Sequence, residues 1–127
     1  MSGKILVYVI GAYSGNVTEN IKKAEEASIA LIRAGYHVFT PHKNTAGYEK
    51  YQNDLLAQGI YLTYQTWIDM DLDILSRCDA IFIMDSAKDS KGSQIEIAFA
   101  KEHNIPEVTT NLGLKSEAWV NISSKTP

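Results

Sequence analysis

The sequence predicts an α/β protein with a parallel sheet of four to five strands flanked by helices. Three observations carry that prediction. Near-continuous apolar runs rich in β-branched residues recur along the chain, as in strands buried on both faces. Segments with helical apolar spacing lie between them. Polar stretches containing glycine or proline punctuate the change from one to the other. Strands that alternate with helices imply a parallel sheet covered on both sides. Ligands in such sheets bind at the carboxyl ends of the strands.

The elements follow in order. Lys4–Ile10 (KILVYVI) is the first strand, and the two-glycine loop GAYSGN follows it. A helix is expected from about Thr18 to Ala34, with Ile21, Ala24, Ser28 and Leu31 as its inner stripe. Asn16, followed three residues on by Glu19, resembles a capping box, and Gly35 supplies the stop. Tyr36–Pro41 (YHVFTP) is a second strand ended by proline. Residues 42–62 are polar and tyrosine-rich, and we expect a loop with helical pieces. So long a stretch of weak pattern is often functional. A helix Tyr64–Arg77, a third buried strand Asp79–Met84 (DAIFIM), the loop DSAKDSKG, a helix Ser93–His103 and a fourth strand Ile105–Thr110 complete the alternation. Residues 1–110 form the domain, and 111–127, with Trp119, are a C-terminal strand or arm of it.

Composition narrows the function. A chain of 127 residues suits one domain. Fifteen acidic against twelve basic residues give a net charge of -3. That argues against a nucleic-acid polymer as partner but leaves room for a small anionic ligand. Cys78 is the single cysteine, in an apolar neighbourhood, so no intrachain disulfide forms. No apolar run approaches the roughly 20 residues of a membrane span. The N-terminus lacks a cleavage-site pattern, which places the protein in the cytoplasm. His37, His42 and His103 show no metal-ligand spacing, so no metal and no cofactor are expected. There is no nucleophile elbow, no G-x-G-x-x-G and no Walker A pattern.

Helical geometry singles out two carboxylates. Taking about 100° per residue from Trp67, Asp71 falls near 40°, inside the stripe of Ile74, Leu75 and Cys78. Asp69 and Asp73 fall on the solvent side. On the next helix Glu96 shares a face with Phe99, Ala100 and His103, while Lys101 and Glu102 point out. Inward carboxylates are costly unless paired, and they are candidates for chemistry. Each has a structural alternative. Ser93-Gln94-Ile95-Glu96 matches a capping box in which Glu96 would bond the backbone of Ser93, and Asp71 could be a structural inward carboxylate. GAYSGN could hold an anion or be a plain βα turn. Ser90, with Lys88 and Lys91, offers the same choice. His42 could line a site or sit solvated in a loop. Trp67 and the tyrosines at 48, 51, 61 and 64 could pack or cover a pocket.

Three segments fall into one pattern: "YVIGAYSGN…NI…AEEA…L…AGYHVFTPH", "W…DLDILSRCDAIFIM" and "SKGSQIEIAFAKEHNIP". They resemble the nucleoside 2-deoxyribosyltransferase superfamily over about residues 4–106. That superfamily includes transferases on free nucleosides and 2′-deoxynucleoside 5′-monophosphate N-glycosidases. The likeness extends to an uncharacterised bacterial and phage branch with a similar first loop and "TPH" strand end. The resemblance implies a Rossmann-like (flavodoxin-like) sheet. It makes Glu96 the nucleophile, Asp71 the residue that contacts the nucleobase and assists its departure, and Tyr8 the holder of the nucleophile. It sets the loop Gly11, Ala12, Tyr13, Ser14 and Gly15 beside the sugar and its 5′ end. His42 at a strand end, Trp67 in the stripe of Asp71 and Gly92 in the loop before Glu96 are further candidate substrate contacts. Ser90 stands where the transferases tend to carry an aspartate. A serine there is similar to the monophosphate hydrolases, because it would accept a phosphate that an aspartate would repel. The sequence departs from those hydrolases in lacking an arginine in the first loop and in carrying Gln94 where glycine is usual. The resemblance therefore implies a hydrolase that cleaves the N-glycosidic bond of (deoxy)nucleoside 5′-monophosphates through a glutamyl-glycosyl intermediate. A base-exchanging transferase and a non-catalytic nucleotide-binding module are the alternatives. The partner implied is a small nucleoside or nucleotide, with no membrane, in a homodimer or higher homo-oligomer.

Overall fold

The first strand sets the architecture. A computed structural model of the chain describes residues 4–109. Strand β1 (Leu6–Ile10) lies between β2 (His37–Phe39) and β3 (Ala80–Ile83), and β4 (Glu107–Val108) pairs with β3, giving the order β2-β1-β3-β4. All three pairings are parallel, with Tyr8 opposite Phe39 and Ile81, and Phe82 opposite Val108. The expected doubly covered parallel sheet is thus present, with four strands among the described residues. The 111–127 strand or arm, and Trp119, lie outside them.

Alternation along β1 sends its side chains to two cores. Val7 and Val9 pack with Leu31 of helix α1 (Val17–Arg33) on one face. Tyr8 and Ile10 pack on the other with Leu75 of α4 (Tyr64–Leu75) and Ala100 of α5 (Lys91–Glu102). Tyr8 therefore points toward α5, where the inward glutamate lies. Within α1, Ala24, Ser28 and Leu31 are buried as the periodicity predicts, while Ile21 is half-buried. Asn16 caps the helix by accepting from the Glu19 amide.

Most predicted ends shift by one or two residues, and two boundaries change the reading. Pro41 does not end the second strand. It opens α2 (Pro41–Tyr48), where its missing N–H and fixed φ suit the first helical turn. Most of residues 41–57 are then helical, through a 3₁₀ turn Glu49–Tyr51 and α3 (Gln52–Ala57). The fifth helix starts at Lys91, not Ser93. Its cap is Ser90, whose Oγ accepts the Ser93 amide at 3.2 Å.

The carboxyl ends of β1 and β3 are level, with Ile10 opposite Ile83. The loops that follow meet at once. A Cβ on Gly11 would sit 2.6 Å from Met84 Sδ and 3.2 Å from Ser86 Oγ, so a larger residue here would force the Met84 side chain to move. The Ala12 amide donates to Ser86 Oγ at 3.0 Å, tying the first loop to the 3₁₀ turn Asp85–Asp89.

Candidate active site

A cavity of about 400 Å³ opens at these carboxyl ends, where the sheet topology places a ligand. One wall is α4. Thr63 and Thr66 form a reciprocal capping box that fixes where this helix begins. Tyr64, Trp67, Ile68 and Asp71, at helical spacing, then face the cavity together. The second wall is the start of α5. There Gly92 lets α4 approach closely, since a Cβ would lie 3.1 Å from Tyr64 Oη and 3.4 Å from Ile68 Cδ1. Ser90, Lys91, Ser93 and Glu96 continue this wall.

With Ser90 as the cap, Glu96 lies a full turn inside the helix, and the capping-box alternative for Ser93 and Glu96 is overturned. The partner of Glu96 is Tyr8, whose hydroxyl donates to Oε2 at 2.5 Å, a distance typical of a charge-assisted O–H···O⁻ bond. Glu96 is 5% exposed and Tyr8 fully buried. Burial pushes the Glu96 carboxyl up to about 8. The Asp71 charge adds to the rise, and the Tyr8 hydrogen bond opposes it. Burial pushes the Tyr8 phenol far above its ordinary range, reinforced by the Glu96 and Asp71 charges, so it remains a donor at every working pH. Its ring stacks on Phe39 at 5.8 Å.

Asp71 is pushed up to about 6 by burial. Its Oδ1 is buried and makes no hydrogen bond within the protein. Glu96 and Asp71 thus border one cavity, both raised, and between pH 6 and 8 they retain about one proton between them. A carboxylate pair sharing one proton has the charge state that nucleophile-plus-acid chemistry requires.

The third wall is the first loop. Gly11, Ala12, Tyr13 and Ser14 line the cavity, and the loop is shaped by Asn20 Nδ2 donating to the Tyr13 and Ser14 carbonyls. Gly15 does not line it. At φ +96 it makes the turn into α1. His42 is also absent from the wall. It is 3% exposed, and Nε2 meets the Ala12 carbonyl at 3.0 Å, so it supports the loop from behind. Burial lowers its pKa, while hydrogen bonds to the Ala12 and Gly11 backbone oppose the fall. The two positions expected of this histidine, lining the site or solvated in a loop, are both corrected to a buried strut.

Several lining residues gave no functional signal in the sequence. Helical extension from Trp67 and Asp71 would have found Ile68 and placed Tyr64 in the wall. Thr45 and Glu49 were silent because α2 has no clear apolar stripe. The Tyr13 hydroxyl donates to Glu49 Oε1 at 2.7 Å, and burial and this bond push Tyr13 up to about 12. Asp89 completes the mouth. Among the described residues no group of three or more His, Cys, Asp and Glu could hold a metal ion, and no helix is long and apolar enough to cross a membrane. Cys78 is buried, and its Sγ donates to the Ile74 carbonyl at 3.4 Å.

This arrangement of sheet and helices is the nucleoside 2-deoxyribosyltransferase-like fold. The chain is similar to the 2-deoxyribosyltransferase of the psychrotolerant bacterium Bacillus psychrosaccharolyticus, with a TM-score of 0.58 and 18% identity over 80% of this chain and 69% of that one. Residues 5–110 match DUF7768, described as a domain of unknown function, and the chain belongs to that family. No curated protein matches the sequence.

Proposed function

We propose that the protein is an enzyme that cleaves the N-glycosidic bond of (deoxy)nucleoside 5′-monophosphates. The observation that carries this reading is the 2.5 Å Tyr8–Glu96 bond, in the wall of a cavity that Asp71 also lines. Glu96 attacks the anomeric carbon and forms a glycosyl ester. The carbon–nitrogen bond breaks, its electron pair goes to the base, and Asp71 supplies the proton the departing base needs. Water then attacks the same carbon, giving a proton to the Asp71 carboxylate, and the ester bond breaks to release the Glu96 carboxylate. This is the retaining two-carboxylate logic of glycosidases. Burial leaves the one proton of the resting pair mainly on Glu96, and attack proceeds from the form with that proton on Asp71, whose share the Tyr8 hydrogen bond to Glu96 increases. Trp67 and Tyr64 offer flat surfaces for the base.

Ser90, the amides of the first turn of α5 and Lys91 support a phosphate at the 5′ end. A specific observation favours a second reading, an unphosphorylated nucleoside as substrate. Glu49 and Asp89 also line the cavity, and Lys91 is the only lining cation among the described residues. We place the assembly in a homodimer or larger.

Chromatography of the protein incubated with each nucleoside and its monophosphate tests the reading. Free base is expected, and Glu96→Ala is expected to abolish its release. Product that forms only when a second base is added would make the protein a base-exchanging transferase. Tight binding without turnover would make it a nucleotide-binding module and end the catalytic reading.

A further inference from the structure

Ser93 is a polar group in the cavity wall for which the chemistry above has no use. It occupies the third position of α5 and is 2% exposed. Its amide is taken by Ser90, but its own Oγ makes no hydrogen bond. A buried hydroxyl left unpaired costs about 1–3 kcal/mol. Alanine would occupy the same helical position without that cost. The neighbouring helix repeats the pattern, since Asp71 Oδ1 is also buried, unpaired and part of a residue lining this cavity. Two unmet oxygens, on residues of two packed helices that line one cavity, suit a wall whose side chains turn to complete their hydrogen bonds on a polar ligand.

Position says which part of the ligand. Ser93 precedes Glu96 by three residues, so their Cβ atoms are about 5–6 Å apart on one helix face. With the reacting carbon over the Glu96 carboxylate, a substituent on the next ring carbon comes within reach of Ser93. In a pentose that substituent is the 2′ group, a hydroxyl in ribose and a hydrogen in 2-deoxyribose. Resting on the N-glycoside reading above, we infer that Ser93 is a specificity-determining contact that hydrogen-bonds the 2′-hydroxyl, so that ribosides are preferred to 2′-deoxyribosides. A serine hydroxyl both donates and accepts, as the 2′-hydroxyl does. A deoxy substrate leaves Ser93 unpaired, and sites discriminate strongly against a ligand that lacks the group they bind.

The test uses the full chain carrying Glu96→Gln to stop turnover. Common ribonucleosides and their 5′-monophosphates, each beside its 2′-deoxy counterpart, are titrated calorimetrically. The ribo member of the best-bound pair is expected to bind about tenfold tighter. Adding Ser93→Ala should bring the pair within about twofold by weakening the ribo member alone. Ser93→Cys, close in size and a poor hydrogen-bond partner, should do the same and serves if the alanine variant misfolds. An equal or reversed preference, a preference that survives both substitutions, or no binding of either member overturns the inference. Cleavage by the unmodified protein separates this outcome from the parent reading. A Ser93-dependent preference without any cleavage retains the contact and removes the glycosidase. Cleavage of both sugars at equal kcat/KM removes the contact and retains the glycosidase.

Discussion

Tyr8, Asp71 and Glu96 make the mechanism testable one residue at a time. The carboxylate pair titrates with apparent values near 6 and 8, and activity requires one proton on it. Below about pH 6 both groups are protonated and the nucleophile is lost. Above about pH 8 both are ionised and the acid is lost. A bell-shaped kcat/KM profile centred near pH 7 is expected from a pH series. Asp71→Asn should remove the alkaline limb and lower kcat by about 10²–10⁴. Tyr8→Phe removes the hydrogen bond that lowers the Glu96 pKa, so the profile should move to higher pH as the rate falls. The same burial has a cost in stability. The Glu96 pKa rises from 4.5 to about 8 on folding, so the folded state binds the proton more tightly. This contribution is full below the unfolded value and is lost as pH rises through about 8. Glu96→Gln should therefore raise the unfolding free energy at pH 9 by on the order of 2–4 kcal/mol, with the gap closing at pH 5, as followed by urea denaturation.

At the scale of elements, the start of α5 shows what the sequence could and could not say. The inward faces of Asp71 and Glu96 were legible, because helical period alone puts them among Leu75, Cys78 and Ala100. The position of the cap was not. Ser90, Ser93 and Glu96 are spaced by three, so two overlapping caps fit the same residues. Tertiary contact decides between them, since only the Ser90 cap leaves Glu96 free for Tyr8. The strands were legible from their β-branched runs, whereas Pro41 fits a strand end and a helix start equally well. His42 and Glu49 were out of reach, because what they touch is set by how α2 crosses the first loop. Gly92 belongs to this scale as well. Gly92→Ala gains helix propensity of about 1 kcal/mol, yet crowds Tyr64 and Ile68. Little change in Tm and a several-fold rise in KM are expected, because the exposed Tyr64 ring yields and leaves the cavity wall.

Among the described residues, the loops after β1 and β3 and the start of α2 meet at one edge of a parallel sheet, and one flank carries exposed apolar side chains. The 3₁₀ turn and α3 have no buried residue. Around them Tyr48, Tyr51, Leu56, Ile60 and Tyr61 are about half exposed or more. Apolar surface of this kind beside a cavity suits a second copy of the chain. Light scattering on the eluting protein should give at least twice the chain mass, and Leu56→Lys with Tyr51→Lys should reduce it to one. The central claim is the bond between Glu96 and the sugar. Mass spectrometry after rapid acid quench of the reacting protein tests it most directly. A sugar-sized mass increment on the peptide carrying Glu96 is expected, absent in Glu96→Gln along with base release. Base release that proceeds without an adduct and survives Glu96→Gln would contradict the claim.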